Sequence, residues 1–392
     1  MIEIIKLDHQ GRGIGKINNK IVFVPNALPG EIIEIKIVNE KTKYLEGQAI
    51  KYIKTSNKRI KPACPYYNMC GGCNLMHLSY EDQLKYKQEK TIEIINKYTK
   101  LNIKINKIIP CNKEYNYRNK ITFHTNDKIG LYKNNSHEII NINKCLIANN
   151  KINEILKELN KLKFNNQDIT VRSNNIETLI YYKGNINNIE KINADTIINE
   201  KQILKGNGYI IEKLNNKEFI ISPTSFFQIN TNQTIKLYEK IKEYTNNKNL
   251  NKILDLYCGT GTIGIYISNN QKEILGVEIN KEAIKDANKN KILNKIKNAN
   301  FIAGDAKDVI KKLKFKPDII IVDPPRSGLY KGMINDLIKL KPKIIIYVSC
   351  NVITLARDLK TLNNLYETKE IQPLDLFPQT HHVECVCLLK LK

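Results

Sequence analysis

From residue 223 to the end, strand-like runs alternate with helical stretches, and no other feature restricts the possible folds of this chain so strongly. The runs fall at Lys252 to Leu256, Glu273 to Glu278, Asn300 to Ala303, Asp318 to Val322 and Lys343 to Val348. The segments between them, such as Lys281 to Asn294, are long enough to be crossover helices. Parallel strands need such crossovers, so the alternation predicts an α/β fold with a doubly wound, Rossmann-like parallel sheet. Ligands of these sheets sit beyond the carboxyl ends of the strands. The chemically unusual residues of this chain fall at those ends.

The first of them is the turn Asp255-Leu256-Tyr257-Cys258-Gly259-Thr260-Gly261-Thr262-Ile263-Gly264, which follows a strand and opens a helix. Its glycines let backbone approach a ligand, and read literally it contains the G-x-G-x-x-G dinucleotide fingerprint. Glu278 ends the next strand, where an acid can hold ribose hydroxyls. A hydride-transfer enzyme is therefore one reading. Against it, Asp255 would set negative charge beside a pyrophosphate. S-adenosylmethionine has no phosphate and carries an ammonium and a sulfonium, so the acid suits it better. Asp305 and Asp323 end two later strands. This spread of acids resembles class I methyltransferases.

Composition brings in a partner. The 392 residues favour two or three domains. Sixty-three Lys and Arg against 39 Asp and Glu give a formal charge of +24, a field that attracts phosphate backbones and makes nucleic acid the first partner expected, although Lys, Asn and Ile are abundant everywhere in the chain. The opening residues lack a signal-peptide pattern, and no apolar run approaches the ~20 residues that span a bilayer. A cytoplasmic protein without membrane contact is expected, and nothing points to an obligate protein partner.

Residues 1 to 55 read as a small β-barrel, with strands at Ile2 to Leu7, Lys20 to Val24, Ile32 to Val38 and Gly47 to Lys54 and turns at Gly11, Gly13, Gly15 and Pro29-Gly30. The strings Gly11-Arg12-Gly13-Ile14-Gly15 and Val24-Pro25-Asn26-Ala27-Leu28-Pro29-Gly30-Glu31 closely resemble a TRAM domain, an OB-like RNA-binding module. Residues 56 to 222 form a mixed α+β region that opens on the basic stretch Lys58-Arg59-Ile60-Lys61 and a cysteine cluster. A polar helix is expected from Ser79 to Tyr98, a strand from Lys120 to His124, and turns at the Asn pairs 187 to 188 and 215 to 216. Residues 223 to 392 are the α/β domain.

Asp323-Pro324-Pro325-Arg326 ends the fourth strand and Ser349-Cys350-Asn351 the fifth. A cysteine on this edge, with a helix expected to begin near Val352 and favour its thiolate, is a plausible nucleophile. Together with Pro223-Thr224-Ser225-Phe226-Phe227-Gln228-Ile229-Asn230, the glycine loop and His382-Val383-Glu384-Cys385, these segments resemble the RNA (uracil-5-)methyltransferases, most closely the 23S rRNA enzymes with an N-terminal TRAM domain. The resemblance implies methylation of carbon 5 of a uridine, with Cys350 as nucleophile and Glu384 as general base. It also implies that Gln228, Tyr257, Glu278 and Asp323 bind S-adenosylmethionine, Asp323 also reaching the uracil, and the glycine turn and strand-end acids add Gly259, Gly261 and Asp305 to the expected cofactor site. A tRNA substrate is the alternative. Amino-group methyltransferases carry an aromatic residue where this chain has Arg326, and RNA cytosine-5 enzymes place a second Cys after the proline, where this chain has Pro325-Arg326. A non-catalytic RNA-binding assembly factor would be expected to lack the nucleophile or the base. Cys258, Cys385 and Cys387 read as structural, and His381 and His382 as loop residues.

Cys64, Cys70 and Cys73 supply three thiolates within ten residues, and Gly71-Gly72 permits the turn that aims the last two at one metal. Such ligands suit either Zn²⁺ or an iron–sulfur cluster. Cys145 matches the family's fourth ligand, with Cys111 a competitor, and the family carries a [4Fe–4S] cluster. The spacing differs from that of radical S-adenosylmethionine enzymes, which implies a structural or RNA-positioning role.

Overall fold

The structure is a computed structural model that describes all residues except 247, 248, 270 and 315. Three sheets and a strand pair organise it. The N-terminal sheet has six strands in the order Ile2–Glu3, Ile32–Glu40, Tyr44–Lys54, Lys20–Val24, Gly13–Ile17 and Lys6–Leu7, closed around Ile4, Val22, Val24, Ala27 and Ile33. The expected turns at Gly13 and Gly15 are instead a strand. A Cβ on Gly13 would lie 2.9 Å from Ile4 and Ala27, and one on Gly15 would lie 2.8 Å from Ile2. These glycines serve close packing, while Gly11, at φ +78°, makes the turn.

The central region pairs a seven-stranded sheet with the helix Asn150–Leu159. The expected strand at Lys120 is present as Lys120–Thr125, and Asn188 and Asn215 turn the chain at φ +61° and +54°. The polar helix spans Tyr80–Thr99. Ser79 caps it by accepting the Asp82 amide at 3.2 Å, and Glu81 and Asp82 place negative charge at its positive end.

The C-terminal sheet has seven strands: Lys252–Leu256, Glu273–Glu278, Ala299–Ala303, Ile319–Val322, Ile344–Ser349, Tyr366–Leu374 and Glu384–Leu391. Numbered in chain order within this sheet, they lie 3-2-1-4-5-7-6. The first five are parallel and the last runs antiparallel between the fifth and sixth. The interior of the fourth and fifth strands is sealed from solvent on both faces, which is why they read as continuous apolar runs. The strand order reverses direction between the first and fourth strands, which opens the crevice used by the site. Among the described residues no helix is long and apolar enough to cross a membrane.

Candidate active site

The glycine turn follows the first strand. Tyr257 takes a left-handed backbone at φ +63°, and Gly259 and Gly261 follow at +54° and +75°. A Cβ on Gly261 would meet the Phe301 ring at 2.8 Å, so glycine is required there, whereas one on Gly259 would meet nothing within 4 Å. The turn therefore packs on one side and is open on the other. The Gly259 amide donates to Glu278 at 3.2 Å, tying the turn to the second strand, and Asp305 caps the next helix by accepting the Lys307 amide at 2.9 Å.

Asp255 is sealed from solvent. One of its carboxylate oxygens accepts the Gly264 amide at 3.2 Å and the other has no partner. Burial, with the charges of Asp323 and Glu278 nearby, pushes its carboxyl up to about 8. An edge so rich in carboxylates, with an unpaired oxygen and an open glycine turn, fits a cationic ligand. Gln228 is buried in the segment that precedes the helix Thr231–Thr245. Its segment is held by Ser225, whose hydroxyl donates to Asp286 at 2.7 Å, and by Asn119, whose amide donates to the Gln228 carbonyl at 3.1 Å.

The fourth and fifth strand ends and the start of the last strand bring together Asp323, Arg326, Cys350 and Glu384, residues up to 61 positions apart in the chain. The helix Val352–Leu362, capped by Asn351, fixes the first two relative to the third. Asn351 donates to the Arg326 carbonyl at 3.0 Å, and Arg357 donates to the carbonyls of Ser327 and Leu329 at 3.0 and 2.9 Å. Asp358 accepts the Leu329 amide at 2.8 Å. Glu384 is almost fully buried at 2% exposure. Burial and the charge of Asp323 raise its proton affinity well above the ordinary carboxylate range, and Arg326 opposes them. Burial likewise lifts Asp323 to about 7. Both carboxyls therefore hold a proton more tightly than solvated ones.

Cys350 departs from one expectation. Its helix is where the sequence places it, yet burial, Glu384 and Asp323 push the thiol up to about 11, against the pull of Arg326. Desolvation and two carboxylates outweigh whatever the helix terminus and the guanidinium supply.

Cys64, Cys70, Cys73 and Cys145 line one cavity, closed by Tyr66, Tyr67 and Met76. Cys111 lies elsewhere. It is buried, donates to the Lys113 carbonyl at 3.1 Å, and accepts from Asn230 at 3.4 Å. The Gly72 amide donates to Cys70 Sγ at 3.4 Å. Burial raises the proton affinity of all four thiols, and at Cys73 the charges of Cys145, Cys70 and Cys64 add to it. Among the described residues no three ligating side chains are gathered as around a single ion.

Sequence reasoning passed over part of the cavity that holds Cys350. His381 and His382, read as loop residues, line it, as do Lys90 from the polar helix and His9 and Gln10 from the N-terminal barrel. His382 Nε2 is 3.3 Å from Arg326. Burial pushes both imidazoles down, to about 2 and about 3, so both are neutral near pH 7. No local pattern marked these residues, because their common cavity exists only where three parts of the chain meet.

Residues 2–50 match the TRAM domain model. An uncharacterized RNA methyltransferase of Clostridium acetobutylicum is 36% identical over 99% of this chain and 96% of its own length. One from Staphylococcus aureus is 36% identical over 99% and 97%. The crystal structure of the Pyrococcus abyssi tRNA (uracil-54, C5)-methyltransferase in complex with S-adenosyl-L-homocysteine superposes with a TM-score of 0.81 at 28% identity, covering 99% of this chain and all of that one. With the tRNA (uracil-5-)-methyltransferase model matched over residues 79–392 and relatives aligned along its whole length, this chain belongs to the RNA (uracil-5-)methyltransferase family.

Proposed function

We propose that the protein uses S-adenosylmethionine to methylate carbon 5 of a uridine in 23S rRNA, with Cys350 as nucleophile and Glu384 as base. The observation that carries this reading is the meeting of Cys350, Glu384, Asp323 and Arg326 at one edge of the C-terminal sheet. S-adenosylmethionine, when bound, supplies an electrophilic methyl group. Gln228, Tyr257, Gly259, Gly261, Glu278, Asp305 and Asp323 would hold it, in keeping with the open glycine turn and the acidic edge. Cys350 gives up its proton to solvent and its sulfur bonds to carbon 6, moving the ring electrons toward carbon 5 and oxygen 4. Carbon 5 thereby becomes nucleophilic enough to take the methyl group. Glu384 then removes the proton from carbon 5, the ring double bond re-forms, and the sulfur leaves carbon 6. The base must leave its stack to enter the cavity.

Cys350→Ala should bind RNA and cofactor but neither methylate nor form an adduct. Glu384→Gln keeps the nucleophile and loses the base, so methylated RNA should accumulate bonded to protein as a denaturation-resistant band carrying label from the cofactor methyl group. Near wild-type formation of 5-methyluridine by Cys350→Ala would overturn the reading. A tRNA substrate is the second reading, favoured by the likeness to the Pyrococcus enzyme. Mapping 5-methyluridine in both RNAs from a deletion strain decides between them.

The cavity lined by Cys64, Cys70, Cys73 and Cys145 is proposed to hold a [4Fe–4S] cluster. A donor set of four thiols lining one cavity suits it. A bound cation would also hold as thiolates the side chains that burial otherwise keeps protonated. Anaerobically purified protein should show broad visible absorption and contain about four irons per chain. Stoichiometric zinc without iron or sulfide after anaerobic reconstitution would refute it.

A further inference from the structure

Lys87 and Lys90 lie almost one turn apart on the helix Tyr80–Thr99, yet their surroundings differ. Lys87 is sealed from solvent and paired with Asp375 at 2.6 Å. The Lys90 ammonium donates to the backbone carbonyls of His381 and, at 3.5 Å, His9. Among the described residues no carboxylate forms an ion pair with it. Two carbonyls engage two of its three N–H donors, and the Tyr86 ring centre lies 5.1 Å from the ammonium. Burial and the charge of Lys87 push the amine down to about 7, against the smaller opposing influence of Cys385, Asp8 and Asp375, none of which forms an ion pair with it.

Its position gives that charge a use. Lys90 lines the cavity of Cys350 and Arg326, and also a larger groove between the N-terminal barrel and its own helix. His9, Ile94 and Ile353 are likewise shared by the two, so Lys90 stands where the groove opens into the cavity. Lys58, Lys85 and Lys97 lie along the groove together with Asp8, Asp82, Glu89 and Glu93, Lys58 being paired with Asp82 at 3.1 Å, and Tyr98, 41% exposed, lies on it as well. Arg326 shifts the proton affinities of both Cys350 and Glu384, which places its charge beside the reacting groups. Lys90 acts on His381, His382 and Cys385, on the same wall of the cavity. A polyanion threaded through the groove with one base turned into the cavity would bring a phosphate to that entrance.

We propose that Lys90 binds a phosphate of the RNA strand at the junction of groove and cavity and so positions the everted uridine over Cys350. The inference rests on the uridine-methylation reading for the identity of the base, but the phosphate contact can be tested without turnover. The dissociation constant for transcribed 23S rRNA is measured against potassium chloride concentration in Cys350→Ala protein and in the same protein carrying Lys90→Gln or Lys90→Arg. Removing one phosphate contact should weaken binding several-fold at low salt and make the slope of log affinity against log salt shallower by about 0.7 to 0.9. Lys90→Arg should restore both. Binding of S-adenosylhomocysteine and the thermal midpoint report whether each variant is folded. An unchanged salt slope in folded Lys90→Gln would overturn the proposal and leave Lys90 as a tether between barrel and loop. So would a slope that falls equally in Lys90→Arg. Loss of the slope component together with failure of the wild-type protein to methylate any uridine would instead retain the phosphate contact and remove the uridine-methylation reading.

Discussion

Cys350 stands where its reactivity is set by charges that belong to other strands. Its thiol is held high by burial, Glu384 and Asp323, with only Arg326 opposing them. Since the thiolate is the nucleophile, taking away one carboxylate should ease ionisation. In Glu384→Gln the inflection in the pH profile of Cys350 alkylation by iodoacetamide should therefore fall below its wild-type position, toward the ordinary thiol range. The buried Cys385 and Cys387 serve as internal references that stay unreactive in the folded protein. An inflection that stays in place or rises would mean that the Glu384 charge does not reach the sulfur. In the sequence, Cys350 stands out by its strand-end position and its neighbours. A helix terminus that would favour its thiolate is visible in local sequence, whereas the two carboxylates that oppose ionisation, brought from other strands, are not.

At the scale of elements, the helix Tyr80–Thr99 carries the lesson. Its capping residue and acidic first turn are local, so its extent was legible almost to the residue. Its polar character was misleading, since Gln83, Lys87 and Thr91 are fully buried. Gln83 exchanges hydrogen bonds with Gln379, accepting the amide of Gln379 at 2.9 Å and donating to its side chain at 3.0 Å. Lys87 meets Asp375, on the segment that leads from the sixth strand of the C-terminal sheet to Glu384. Breaking a fully buried ion pair by removing one partner leaves an uncompensated charge. Lys87→Met should destabilise the protein by about 3–5 kcal/mol. Urea denaturation measures this, and the double variant Lys87→Met with Asp375→Leu should recover most of the loss. A single-variant loss below about 1 kcal/mol would show that the pair is solvated in solution. The strand Tyr366–Leu374 escaped sequence reading because it contains Glu367, Lys369 and Glu370 and lies at the sheet edge, where periodicity is weak.

Across the whole molecule, the barrel, the long helix and the C-terminal sheet share one cavity. The barrel is docked by Tyr86, whose hydroxyl donates to the Asp8 carbonyl at 2.8 Å, and by Leu28, which packs with Leu75 and Leu78. A chain lacking residues 1–55 should bind RNA more weakly and with a shallower salt dependence while still binding S-adenosylmethionine, whose proposed site lies on the C-terminal sheet. Its thermal midpoint should fall, because Leu75 and Leu78 lose their cover. Unchanged RNA affinity and salt slope would reduce the barrel to a scaffold. Local sequence determined what depends on short stretches of chain: the parallel strands, the glycine turn, the caps, and the positions of Cys350, Glu384 and the clustered cysteines. Periodicity, turn chemistry and motif spacing are properties of neighbours along the chain. The tertiary structure alone decided that Lys90, His9 and His382 line the cavity of Cys350, that Cys145 rather than Cys111 joins the other three cysteines, and that burial and two carboxylates raise the proton affinity of Cys350. Each of these depends on distances and desolvation between segments remote in sequence, which no local pattern encodes.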